Sequence, residues 1–161
     1  MLNPNDLLTK QDYKTYHSSL LSKLKRLAIS KKAEEEQEEQ SLLPDMPIET
    51  IESLYELENL IKNNEAKNQL IKFIKDVGGP DAKEFARRVM SDLMTKEVAV
   101  KFSWSGQGRN TKEGYKKKEA FQSLKISSII ASTISKVGAN FTQDDAKKGM
   151  KSYLQHVGEH M

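Results

Sequence analysis

The sequence predicts an all-α chain: a compact domain of about six helices, preceded by a separate N-terminal amphipathic helix on an acidic linker. Three observations predict it. Apolar residues recur at three- and four-residue intervals in segment after segment, and no alternating run marks a strand. Stop and start residues punctuate these segments, as in Gly78-Gly79-Pro80-Asp81 and Thr142-Gln143-Asp144-Asp145. Charge is segregated: residues 1–33 carry a net +5, 34–65 a net −10, 66–95 a net +2 and 96–161 a net +6, within a formal total of +3. The acidic block reads as a solvated spacer, and the basic C-terminal part suggests an anionic partner.

The hydrophobic fraction is 37%, below the usual ~45–50%. Part of the 161-residue chain is therefore expected outside a modest core. Cysteine is absent, which excludes disulfides and thiolate zinc sites and fits a reducing compartment. No apolar run approaches the roughly 20 residues that span a bilayer, and the start, Met1-Leu2-Asn3-Pro4-Asn5-Asp6, lacks the blocks of a signal peptide. An intracellular protein is expected, with no membrane partner.

Taken in order, residues 1–33 hold the N-terminal amphipathic helix, opened by a capping-box-like Thr9 and Asp12. Tyr13, Tyr16, Leu20, Leu24 and Leu27 form its stripe, which serves either docking or a short self-association seam. Residues 34–47 are the linker. Five glutamates within 34–39 repel one another, and Pro44 and Pro47 stop any helix that the glutamates extend to Gln40. The helical domain occupies 48–161. Ile48, Ile51, Leu54, Leu57 and Ile61 share one face of its first helix, with Pro47 at the first turn and Glu49, Glu52, Glu56 and Glu58 toward water. Asn63-Asn64 ends it. A helix over about 65–76 carries Leu70, Ile71, Phe73, Ile74 and Val77 and stops at Gly78-Gly79. Asp81 opens the next, with Phe85, Ala86, Val89, Met90, Leu93 and Met94 as a buried stripe. A short helix over 96–102, a loop over 103–118, an isoleucine-rich helix closed by Gly138 and a last helix with Ala146, Met150, Tyr153, Leu154 and Val157 inward complete the domain.

The order of several segments also carries a likeness. These are Gly78-Gly79-Pro80-Asp81, the helix end Leu93-Met94-Thr95-Lys96-Glu97-Val98-Ala99, Phe102-Ser103-Trp104-Ser105-Gly106, Lys116-Lys117-Lys118-Glu119-Ala120-Phe121, and the Thr142-capped helix with Lys151-Ser152-Tyr153-Leu154-Gln155-His156. Together they resemble the animal domain-of-unknown-function family 4806, from about Asp45 to His156. The most specific elements are Trp104-Ser105-Gly106 and Lys118-Glu119-Ala120-Phe121. Members often come from transposon-like or nuclear proteins and the family has no assigned reaction, so the resemblance implies a nuclear protein without an assigned activity. A weaker likeness is to the BEN domain, an all-helical DNA-binding module in which a Gly-bearing loop precedes a basic C-terminal half. Residues 1–44 fall outside both.

For chemistry, Gly106-Gln107-Gly108-Arg109-Asn110-Thr111-Lys112 fails as a phosphate loop, because the spacing is wrong and no strand precedes it. The three histidines are scattered without carboxylates at ligand spacing, so no metal, cofactor, catalytic set or small-molecule substrate is expected. Trp104, the sole tryptophan, is either a core or rim aromatic or a stacking surface. Arg109, Lys112, Lys116, Lys117, Lys118 and Lys125 are a candidate phosphate-contacting patch, unless they are simply solvated. Lys147, Lys148 and Lys151 recur at helical spacing as a second basic strip. Two functions compete: a non-enzymatic nuclear nucleic-acid-binding module using the basic loop and last helix, and a protein-interaction or self-association module using the N-terminal helix.

Overall fold

A computed structural model describes residues 17–26 and 40–160. The chain divides into two compact units, Met1–Gln40 and Ser41–Met161. In the first, residues 17–26 form a helix, α1. Leu20 and Leu24, one turn apart, are 42% and 53% exposed, and Leu21 beside them is 45% exposed. Tyr13, Tyr16 and Leu27 of the proposed seam lie outside the described residues, as does the glutamate run.

The second unit is all-α in plan, with helices α2 (Ile51–Leu60), α3 (Asn64–Val77), α4 (Ala82–Leu93), α5 (Lys96–Ala99), α6 (Lys125–Ser135) and α7 (Gln143–His156). Side-chain caps set several starts. Thr50 Oγ1 accepts from Ser53 N–H, Asn63 Oδ1 from Glu65 N–H, Asp81 Oδ1 from Glu84 N–H and Thr142 Oγ1 from Asp145 N–H. The expected stripe of α4 is wholly buried from Phe85 to Met94, and α4 packs chiefly on α7. The close approach needs Gly149. A Cβ there would lie 2.3 Å from the Lys83 carbonyl oxygen and 2.9 Å from Ala86 Cβ. Further along, Arg87 Nη2 donates to Ser152 Oγ at 2.9 Å, and the Tyr153 hydroxyl lies near Ser91. The pairs advance together, so α4 and α7 run in the same direction. α6 is inserted against both, with Ile126, Ile129, Ile130, Ala131 and Ile134 buried.

Several expectations are corrected. The first helix of the domain begins at Ile51, not at Pro47. The Met46–Pro47 bond is cis, and Ile48 is extended, its N–H donating to Leu93 O while its carbonyl accepts from Thr95 N–H. Leu43 and Met46, inside the stretch read as linker, pack on the core. The helix expected over 96–102 is the single turn of α5. The expected loop over 103–118 contains strands: β1 (Phe102–Ser103), β2 (Arg109–Thr111), β3 (Gly114–Lys116) and, just beyond it, β4 (Glu119–Ala120). β1 pairs with β4 in parallel, and β2 with β3 antiparallel. Each has two or three residues, too few for alternation to register.

Candidate nucleic-acid interface

The basic segment is held by two aromatic rings. Phe102 and Phe121 are fully buried and meet edge to face, with centroids 5.7 Å apart at 88°. They flank the β1–β4 pairing, in which Phe102 opposes Glu119 and Ser103 opposes Ala120. Glu119 N–H donates to Lys101 O, and Gln122 N–H to Trp104 O. The chain therefore leaves the core at Ser103 and re-enters it at Ala120, and the residues between are displayed as one arm. Trp104 sits at the root of this arm, half-buried against the core, while Phe102 faces inward. The rim assignment holds for Trp104. Extended residues two apart would share a face, but the extended run ends at Ser103 and Trp104 stands in the bend that follows, so the two aromatics are buried to different degrees.

The arm itself is the β2–β3 hairpin. Arg109 opposes Lys116 and Asn110 opposes Tyr115. Neither Lys112 nor Glu113 has positive φ, so the turn is not of the primed type; Gly114, at φ 117°, takes the positive-φ position instead. Thr111 Oγ1 donates to the Gly114 carbonyl at 2.7 Å. Gly108 is fixed by close approach. A Cβ there would lie 2.3 Å from Lys116 O and 2.6 Å from the Tyr115 ring, and Gly108 N–H donates to the Tyr115 hydroxyl at 3.1 Å. The expected basic residues Arg109, Lys112, Lys116 and Lys117 are all exposed on this hairpin, and Lys118 is half-buried at its base. Lys116 pairs at 3.7 Å with Glu113, but both are exposed and such a pair contributes little.

At the base of the hairpin lies a cleft of about 340 Å³ between the arm and the last turn of α7. Trp104, Gly108, Arg109, Lys118, His156 and Glu159 line it. His156 Nδ1 and Glu159 Oε2 are 3.2 Å apart and engage each other. Arg109 and Lys118 have no ion-pair partner among the described residues. Burial, and then the Arg109 guanidinium, pull the Lys118 ammonium below the usual lysine range. The one carboxylate in the lining, Glu159, is engaged with His156 rather than with either cation, so the two unpaired cations of the cleft favour an anion that enters.

The second basic strip is not part of this cleft. Lys147, Lys148 and Lys151 are exposed on α7, one to three turns before its C-terminal end, and none lines the cleft. Lys125 is exposed at the first residue of α6 and is likewise outside it. Sequence reasoning missed Tyr115, 63% exposed amid the lysines, and the pair His156 and Glu159. Tyr115 carries a signal, an aromatic between Gly114 and Lys116-Lys117-Lys118. His156, at the end of α7, and Glu159, in the turn beyond it, carry none, since only the fold brings them to the arm. Among the described residues no cluster of His, Cys, Asp and Glu has metal-site geometry, and no helix is long and apolar enough to cross a membrane.

The family model described as Domain of unknown function (DUF4806) matches residues 43–134. The match takes in the helices from α2 through α6, apart from the last residue of α6, and the whole hairpin arm. Searches of curated proteins and of solved structures gave no match.

Proposed function

The chain belongs to the DUF4806 family, whose description assigns no activity, and we propose that it is a non-enzymatic nucleic-acid-binding module that grips phosphates with its hairpin arm. The observation that carries this is the cleft at the arm's base, which Arg109 and Lys118, without an ion-pair partner among the described residues, line together with the half-buried Trp104. A phosphodiester entering there relieves the repulsion between the two cations. Lys112, Lys116 and Lys117 extend the positive track along the hairpin, and Tyr115 and Trp104 offer aromatic faces to unpaired bases. The weaker likeness to the BEN domain points the same way, and a nuclear place of action follows from the reading. The arm displays no base-reading helix, so affinity is dominated by phosphates and tolerant of sequence. Because Trp104 is the sole tryptophan, its emission reports binding directly. Titration of the protein with duplex and single-stranded oligonucleotides at two salt concentrations tests the reading. Quenching that weakens steeply with salt is the expected result; no change in emission or in oligonucleotide anisotropy at low salt overturns it.

One observation favours the alternative of self-association or protein interaction. Leu20, Leu21 and Leu24 expose a leucine face on α1. Sedimentation of the wild-type protein and of a Leu20→Ser, Leu24→Ser variant tests it. A smaller species in the variant supports the seam, and identical profiles remove it.

A further inference from the structure

A second groove, about 450 Å³, runs between α3 and α6. Its floor is Ile71 and Ile129, and its rim carries Lys67, Lys75 and Lys136. No aspartate or glutamate lines it, and none of the three lysines has an ion-pair partner among the described residues. The wall from α6 presents three hydroxyls, Ser128, Ser132 and Thr133. None of these hydroxyls has a hydrogen-bond partner among the described residues. The contrast lies on the same helix. Ser127 and Ser135, which do not line the groove, are satisfied by the carbonyls of Leu124 and Ser132 at 2.8 and 2.7 Å. Thr133 is the most buried of the three, only 4% exposed, yet its hydroxyl stays open to the groove: among the described residues the fully buried unpartnered hydroxyl is that of Thr95.

We propose that this groove is a binding site for a small polyphosphate anion, separate from the hairpin arm. The donor set selects the chemistry. Ammonium groups and hydroxyls give compact donors that surround a tetrahedral oxyanion, whereas no arginine fork is present to favour a planar carboxylate. Length selects more than one phosphate. Lys67 and Lys75 are eight residues apart on α3, about 12 Å along its axis. A single phosphate cannot engage both ends, while a chain of phosphates lies along the groove. No aromatic lines it, so a base is not stacked there. The site is independent of the nucleic-acid reading, since it shares no residue with the arm or its cleft.

Isothermal titration of the full chain with inorganic tripolyphosphate at low salt tests the proposal. Saturable binding is expected. It should fall about tenfold in Thr133→Val, which removes a hydrogen bond to a charged group while keeping the side-chain shape. It should fall at least as far in the surface variant Lys75→Gln, Lys136→Gln, which leaves the buried threonine untouched. Arg109→Gln, Lys118→Gln removes the anion cleft of the arm and should lose at most that cleft's own share, keeping the saturable binding of the groove. Absence of saturable heat overturns the proposal, as does loss confined to the Arg109, Lys118 variant, which moves the site to the arm. If tripolyphosphate fails to bind while the groove variants weaken binding of duplex DNA, the groove belongs to a nucleic-acid track and the small-anion site is refuted. Oligonucleotide binding in the Arg109, Lys118 variant is read separately, so failure of one proposal is told apart from failure of the other.

Discussion

The carboxylate of Glu58 holds the first peptide of α6 at Lys125, 67 residues away: Oε1 accepts from the Lys125 N–H and Oε2 from the Ile126 N–H. α6 has no side-chain cap of its own, because Leu124 occupies the N-cap position. Its exposed amide dipoles are instead satisfied by a negative charge from the last turn of α2. Replacing Glu58 by alanine is expected to cost about 2 kcal/mol, the range of a lost N-cap with charged hydrogen bonds. Glu58→Gln, which retains one acceptor oxygen, should lie between. Thermal melts of the three proteins check this, and equal melting temperatures for wild type and Glu58→Ala refute the cap.

Gly149→Ala should destabilise, against the usual sign. In an open helix this change gains about 1 kcal/mol. Here the new methyl meets a backbone carbonyl at Lys83 that cannot swing away as a side chain would. Overpacking costs about 1–3 kcal/mol, so a net loss is expected, with α4 and α7 forced apart. Gly138→Ala is the control, since a Cβ there makes only an ordinary contact with Phe141 at 3.9 Å. A lowered midpoint in urea for Gly149→Ala alone bears the prediction out.

Thr95 offers the opposite case. Its Oγ1 is buried without a partner, while its N–H is taken by the Ile48 carbonyl. A buried unsatisfied hydroxyl costs about 1–3 kcal/mol. Thr95→Val keeps the shape and removes the polar atom, so the melting temperature should rise. A fall would mean that the hydroxyl is solvated in solution.

These residues also mark how far the sequence could be read. The helices and the buried stripe of α4 were legible because periodicity and caps are local: Asp81 and Thr142 announce their own helices within three residues. Glu58 was read as facing water, since the periodicity of α2 says nothing about a helix that starts 67 residues later. The strands were missed because two- and three-residue pairings leave no alternation to detect. The hairpin's charge was plain in Lys116-Lys117-Lys118, but its cleft was not. His156 and Glu159 share a cleft with Arg109 only through the packing of α7, which the spacing of residues cannot supply. For the same reason the Lys147, Lys148 and Lys151 strip looked equivalent to the arm in sequence and is separate from the cleft in space.

Lys118 gives the interface a pH dependence. Its pKa is lowered by burial and by Arg109, so the ammonium is lost at a lower pH than an ordinary lysine. An anion binds the protonated form better, so the full contribution of Lys118 to affinity is present below its free-state pKa. That contribution is lost as pH rises from there through the higher pKa that Lys118 takes on beside a bound anion. Affinity for an oligonucleotide should therefore fall on the alkaline side before the exposed lysines titrate. Arg109→Ala weakens binding overall but removes one of the two causes, so the remaining fall should move to higher pH. Anisotropy titrations across the alkaline range, with Lys118→Met as the variant that lacks the step, check the sign.

The hairpin lysines set the salt dependence. Each phosphate neutralised on duplex DNA contributes about −0.9 to the slope of log affinity against log salt. Lys116, Lys117 and Lys118 lie at the end of β3 and just past it, and among the described residues only Lys116 has an ion-pair partner, a surface pair with Glu113. Changing all three to alanine should flatten the slope by up to about three units. Binding to all sequences should weaken alike, since phosphate contacts carry little sequence information. The fold should be little affected, because the exposed charges contribute little and the partly buried Lys118 has no partner to lose. Lys147→Ala, Lys148→Ala, Lys151→Ala is the comparison that separates the two basic strips. With the arm as the gripping element, this variant keeps the wild-type slope while the hairpin variant loses it. The reverse outcome would put the phosphate track on α7 and leave the arm as a solvated hairpin, because a charge that displaces no counterions leaves the slope where it was.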